Sequence, residues 1–172
     1  MRTDLNLLHK NKDDLGDLIE SLELELVEDP RWDEPSDTSY LSAKDRANAS
    51  IMANVEAMSA TNALIDWFGK DMEGFVGFWR GPGNTPVDAA PVVRLDTEGQ
   101  YALVARTIGD YLLVSADHDE FDENREALVE AGFKVSDSID AIWGSIEESE
   151  EPNEYRNDLA TAAENKAKKT KN

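Results

Sequence analysis

Pro91-Val-Val-Arg-Leu-Asp-Thr-Glu-Gly-Gln-Tyr-Ala-Leu-Val-Ala105 is the stretch on which the fold turns. Two short runs rich in β-branched and aromatic residues flank Asp96-Thr-Glu-Gly, and Gly99 can take the positive φ that a tight reversal needs. The reading is a β-hairpin. Upstream, Phe75, Val76, Phe78 and Trp79 form an aromatic run that predicts a further strand, broken by the turn-forming Arg80-Gly-Pro-Gly-Asn-Thr-Pro. Gly81-Pro-Gly83 resembles a phosphate loop only superficially. Proline offers no N–H to an anion, so a turn is the simpler reading, with Arg80 kept as a candidate contact residue.

Downstream, Thr107 to Val114 carries Ile108, Tyr111, Leu112 and Val114 near helical spacing, with Thr107 as a cap, although so short a run also fits a strand. Asp119-Glu-Phe-Asp-Glu places carboxylates at the positive end of a helix dipole, and Leu128, Val129 and Gly132 bring that helix to its end. A brief strand is expected at Phe133-Lys-Val135. Ser136 or Ser138 then caps a helix with Ile139, Ile142, Trp143 and Ile146 at i, i+3, i+4 and i+7.

Towards the N-terminus, Ser42 and Asp45 suggest a capping box. Ile51, Met52, Val55, Met58, Leu64, Ile65 and Phe68 extend a 3.6-residue stripe to Gly69, which predicts one long helix with Met52 and Met58 in the core. Residues 28–39 read as a linker, with Trp32 and Tyr40 as possible anchors. Leu15, Leu18, Ile19 and Leu22 suggest a short helix whose end is ambiguous, because Leu22, Leu24 and Leu26 also alternate as in a strand. The expected fold is therefore α+β: a small, curved, antiparallel-rich sheet flanked by helices, with a long helix in the N-terminal half and two C-terminal helices. Residues 1–40 form an acidic extension, 41–146 the domain, and 147–172 a polar, flexible tail with some Ala-rich helix that ends in Lys166, Lys168, Lys169 and Lys171.

The chain has 17 Lys and Arg against 37 Asp and Glu, a formal net charge of -20, and no cysteine. A field of that sign disfavours direct nucleic-acid or anionic-lipid binding and favours basic partners. The absence of cysteine removes disulfides, thiolate metal sites and cysteine nucleophiles and suits a reducing compartment. No run is long and apolar enough to cross a membrane, and Met1 to Lys12 does not read as a signal peptide. The expectation is a cytoplasmic protein whose oligomeric state stays open.

The acidity is regional. Asp117, Asp119, Glu120, Asp122, Glu123, Glu126 and Glu130 meet only Arg125 before Lys134, and these seven carboxylates with Arg80 are the candidate partner-binding residues. A calcium loop would match at Asp117 and Asp119 but fails at Phe121, Asp122 and Leu128, where a ligand, a glycine and the bidentate glutamate belong. His118 is the one histidine placed for acid–base work. Its acidic loop also has a simpler reading as the lead into a helix N-terminus. No catalytic set, metal site or cofactor site is expected. Trp79, Tyr111, Phe121 and Trp143 would add affinity to a binding surface wherever one is left exposed, although each also fits a core position.

Gly77-Phe-Trp-Arg-Gly-Pro82, Ala90 to Ala105 and Ile108-Gly-Asp-Tyr-Leu-Leu113, in that order, resemble the SUKH superfamily, over about the middle two fifths of the chain. The resemblance implies an α+β fold with a curved sheet flanked by helices. It also implies a role common among bacterial members, that of immunity proteins, which bind and neutralise a toxin, often a nuclease. The family's usual "Leu-Pro-x-x-Tyr…Asn-Gly" entry is replaced here by Asn62-Ala-Leu-Ile-Asp-Trp-Phe-Gly-Lys70. Partner sites vary among members, so the resemblance carries over no particular binding residue. Two other readings stay open: an acidic binding or scaffolding module unrelated to toxins, and a carboxylate hydrolase that uses a divalent cation.

Overall fold

Strand β4 (Val92–Asp96) and strand β5 (Tyr101–Ala105) form the hairpin, and Gly99 takes φ 78° in the turn. Asp96 closes it: its Oδ1 accepts from the N–H groups of Glu98 and Gln100. The computed structural model describes residues 2–29 and 32–170, with side chains up to residue 166. Within them the hairpin is one side of a five-stranded, fully antiparallel sheet in the order β1-β2-β3-β4-β5, with β1 at Glu25–Leu26, β2 at Ile65–Asp71 and β3 at Gly74–Trp79. The α+β class stands.

Alternation along these strands sends side chains into two cores. Phe68, Val76, Phe78 and Val92 point to one face, where they meet Leu8 of α1 (Thr3–Lys10), Leu18 and Ile19 of α2 (Gly16–Ser21) and the fully buried Tyr111, Leu112 and Leu113 of α5 (Ile108–Ser115). Ile65, Trp79, Val93, Leu95 and Tyr101 point to the other face. There Met58 of α4 (Ala49–Asn62) and Tyr155 of α8 (Pro152–Thr170) cover them.

Several expectations are corrected. The helix predicted from Ser42 to Phe68 is three elements. The Ser42–Asp45 capping box opens only a short α3 (Ala43–Arg46). Asn48 then starts α4 by accepting from Ser50 and Ile51, and the chain passes into β2, where Ile65 pairs with Trp79. Leu64, Ile65 and Phe68 match a helical stripe, but β-branched and aromatic side chains suit a pleated sheet equally well, and pairing with β3 decides the outcome. The face α4 buries is Ala53, Ala57, Thr61 and Asn62, while Met52 and Met58 are only partly covered.

Within the segment expected as an N-terminal extension, residues 2–29 are not an appendage. Leu8, Leu15, Leu18, Ile19, Leu22 and Leu24 are all buried in the main core. Trp32 rests edge-on against Phe75, whereas Tyr40 is 72% exposed. From Pro152 to Thr170 the polar tail is helix α8, antiparallel to α4: Glu164 accepts from Ser50 at one end, and Asn153 and Asn62 both reach Tyr101 at the other. Its apolar residues are few, but the small side chains Ala53, Ala57 and Ala160 allow close approach. The side chains of Lys168, Lys169 and Lys171 lie outside the described residues. Residues 133–135 form no strand, and the cap of α7 (Ile139–Gly144) is Ser138, whose Oγ accepts from Ala141.

Candidate acidic interaction surface

Thr107 caps α5 through the Asp110 N–H and settles that segment as a helix. After Ala116 the chain leaves the core. Asp117 accepts from the Asp119 N–H and opens a 3-10 turn at His118–Glu120, which runs directly into α6 (Phe121–Glu130). Periodicity sorts this helix. Phe121, Asn124, Arg125 and Leu128 lie at i, i+3, i+4 and i+7 and face inward, with Leu128 fully buried. Asp122, Glu123, Glu126 and Glu130 are thereby left on the exposed side, continuous in sequence with exposed Asp117, Asp119 and Glu120.

The single cation inside this strip is neutralised locally. Arg125 donates through Nε to the Ser136 carbonyl at 3.1 Å and pairs with Asp137, so its guanidinium ties α6 to the segment before α7. Ser136 is tied in turn to α5: its N–H and hydroxyl donate to the two oxygens of buried Asp110, at 2.6 and 3.0 Å. The scaffold behind the strip is thus fastened by directional hydrogen bonds, while the carboxylates in front face water. His118 turns back, its Nε2–H donating to the Val114 carbonyl at 3.2 Å near the end of α5.

Arg80 has a different setting. It braces its own loop, donating to the Thr85 carbonyl at 3.2 Å and to Asn84, and lies 3.7 Å from Asp66. No hydrogen bond or ion pair among the described residues joins it to the Asp117–Glu130 strip.

Of the four aromatic residues that could add affinity, Trp79 and Tyr111 are buried and Phe121 packs against the core, but Trp143 on α7 is 52% exposed. Helix α7 rests on the core through Ile142, and Trp143 sits beside that line of contact. The Ile139, Ile142 and Ile146 spacing already marks the buried stripe, and Trp143 stands at its edge.

Elsewhere the polar groups serve the fold. Asp71 accepts from Arg94 (2.7 Å), from the Tyr111 hydroxyl (2.8 Å) and from the N–H groups of Glu73 and Gly74. Sequence reasoning missed this network. Its signal is Arg94 itself, a cation set in the alternation of a buried strand on the same side as Val92. A groove of about 430 Å³ beside it is lined by Met72, Glu73, Arg94, Asp96, Thr97 and Glu98, but the guanidinium there is already engaged by Asp71, Glu73 and Ser115. Among the described residues no three His, Asp or Glu side chains gather closely enough to hold a metal ion, and no helix is long and apolar enough to cross a membrane.

Comparison of the chain with protein-family models, with curated proteins and with solved structures returns no match.

Proposed function

We propose that this chain is an immunity-type binding protein, whose acidic strip from Asp117 to Glu130 covers the cationic surface of a protein toxin and occludes it. One observation carries the reading: the outward face of α6 and the turn before it present seven exposed carboxylates, and the one arginine among them is held by Asp137 and Ser136. An uncompensated row of one sign, mounted on a helix fastened to the core, raises the rate of encounter with a basic partner and selects against acidic ones. Immunity proteins are the SUKH-like role that the middle of the chain resembles, and a cationic nuclease cleft is a partner of the required sign.

The test is affinity capture from the source organism's lysate at low and moderate salt. Wild-type chain is compared with a variant in which Asp119, Glu120, Asp122 and Glu123 are reversed to lysine. Recovery of one basic, toxin-like protein by wild type alone is the expected result. Housekeeping partners, or partners retained by the reversed variant, would overturn the reading in favour of a scaffolding module.

A further inference from the structure

Trp143 differs from the other three tryptophans. Trp79 is buried, and Trp32 and Trp67 each meet Phe75, with ring centres 5.4 and 6.3 Å apart. Among the described residues no aromatic ring or cation stacks on the Trp143 indole, which is half in water. The helix positions beside it are open: Ala141 is exposed, and a side-chain carbon at Gly144 would meet no atom of another part of the chain within 4 Å. Exposed Asp140 lies one helical turn before it, and exposed Glu147 follows at i+4, in the turn continued by the Ile146 N–H bond to the Trp143 carbonyl. The two arginines whose side chains reach the segments flanking α7 are held there. Arg125 is tied to Ser136 and Asp137, and Arg106 donates to the Ser145 carbonyl and Ser149 hydroxyl.

Resting on the reading of the chain as a binder of basic proteins, we propose that Trp143 is the anchor of a docking surface: its open indole face receives an arginine side chain of the cationic partner, and Asp140 and Glu147 pair with the guanidinium. The chemistry selects arginine. Its planar, weakly hydrated cation stacks on an aromatic face while its N–H fork still reaches carboxylates, a combination an ammonium does not offer. The ring supplies the desolvated contact that exposed ion pairs lack, since those alone contribute little affinity. A second copy of this chain is disfavoured as occupant, because two bodies of net charge -20 repel.

The test uses the full chain and two probes, hexa-arginine and hexa-lysine peptides, with affinity measured by calorimetry and the indole N–H resonances followed by NMR. The expected result is preference for hexa-arginine, with the Trp143 indole among the signals that move. Trp143→Ala should lose about two- to thirtyfold in hexa-arginine affinity, the range a cation–π contact supplies, and with it the preference over lysine. Trp143→Phe, a milder change that keeps a ring, should retain part of both.

Equal binding of the two peptides in wild type and Trp143→Ala, or no binding of either, overturns the proposal. Loss on reversal of the α6 carboxylates with no effect of Trp143→Ala sinks the anchor and leaves the acidic surface standing. The opposite pattern keeps the anchor and sinks the α6 surface. Self-association of wild type that disappears in Trp143→Ala would assign the indole to a second copy and also overturn the proposal.

Discussion

The Arg2 guanidinium lies over the Phe78 ring, 4.6 Å from its centre, and donates to the carbonyls of Val87, Ala90 and Arg106. Only 5% exposed and paired with Asp4 at 2.8 Å, it fastens the first helix to the loop before β4 and to the end of β5. The bonds run from a charged donor to buried acceptors, the arrangement whose loss costs most, because the acceptors stay behind without partners.

Arg2→Ala should therefore lower stability by about 3 kcal/mol, and Arg2→Lys should recover little of it, since an ammonium cannot present the same fork to three carbonyls. Urea unfolding midpoints of the three proteins test this. A wild-type midpoint in Arg2→Lys would show that charge rather than geometry matters.

Asp71 is 1% exposed on its side chain and holds Arg94, Tyr111 and the turn between β2 and β3 at once. Asp71→Ala leaves a largely buried guanidinium without its main partner and should cost about 3–5 kcal/mol, whereas Asp71→Ala combined with Arg94→Met should cost less than the single change. A double-mutant cycle by chemical denaturation reads the coupling. Additive losses would mean that the two side chains act independently.

Burial pushes the phenol of Tyr111 upward, reinforced by the Asp71 carboxylate beside it, and burial likewise raises that of Tyr101. Both rings stay neutral in the folded chain at a pH where an unfolded tyrosine, near 10, has ionised. A raised folded value means that the contribution to stability is complete below about pH 10 and is lost as pH rises above it. Unfolding midpoints at about pH 9 and about pH 11 should fall more steeply in wild type than in the Tyr101→Phe, Tyr111→Phe double variant. Parallel declines would place the alkaline sensitivity elsewhere.

The outer edge of β5 is covered by a side chain acting as a peptide group. Asn153 Oδ1 accepts from the Tyr101 N–H at 3.0 Å, and its Nδ2 donates to the Tyr101 carbonyl at 2.7 Å. Asn153→Ala should uncover these main-chain groups, destabilise the chain by about 1–2 kcal/mol and speed hydrogen exchange at the Tyr101 amide. Unchanged exchange there would mean that α8 is held in place by other contacts, such as the Trp79 indole bond to the Glu150 carbonyl and the ring of Tyr155 on Trp79.

If the acidic strip steers its partner, reversal of Asp119, Glu120, Asp122 and Glu123 should slow association about ten- to a hundredfold at low salt and flatten its salt dependence, with a smaller change in dissociation. Arg80→Ala should leave the association rate unchanged, because that side chain braces the loop at Gly81–Asn84. Stopped-flow association with the captured partner separates the two predictions.

Much of the architecture is legible in local chemistry. Gly99 and the turn around Asp96 mark the hairpin, Thr107 marks the start of α5, and carboxylates followed by Gly132 frame α6, because each meets a backbone requirement within four or five residues of itself. The same holds for the acidic strip, whose exposure follows from the Phe121, Asn124, Arg125 and Leu128 stripe that turns it outward. Where local chemistry is ambiguous, the reading fails. Ile65 and Phe68 fit a helical stripe, yet a β-branched and an aromatic side chain suit a strand as well, and pairing of Ile65 with Trp79 and of Gly69 with Val76 decides for β2. The polar α8 has too little apolar surface to order alone. It docks because Ala53 and Ala57 let it approach and the edge of β5 offers Asn153 a partner.

Local sequence chemistry settles the α+β class, the hairpin, the Thr107 cap of α5 and the sign of the surface, because each rests on composition or on residues near one another in the chain. The tertiary structure alone decided that Arg2 and α1 belong to the core, that Asp71, Arg94 and Tyr111 meet, and that Trp143 rather than Trp79 faces water. Those outcomes depend on which distant surfaces cover which, and a local pattern of apolar residues carries no address for its partner.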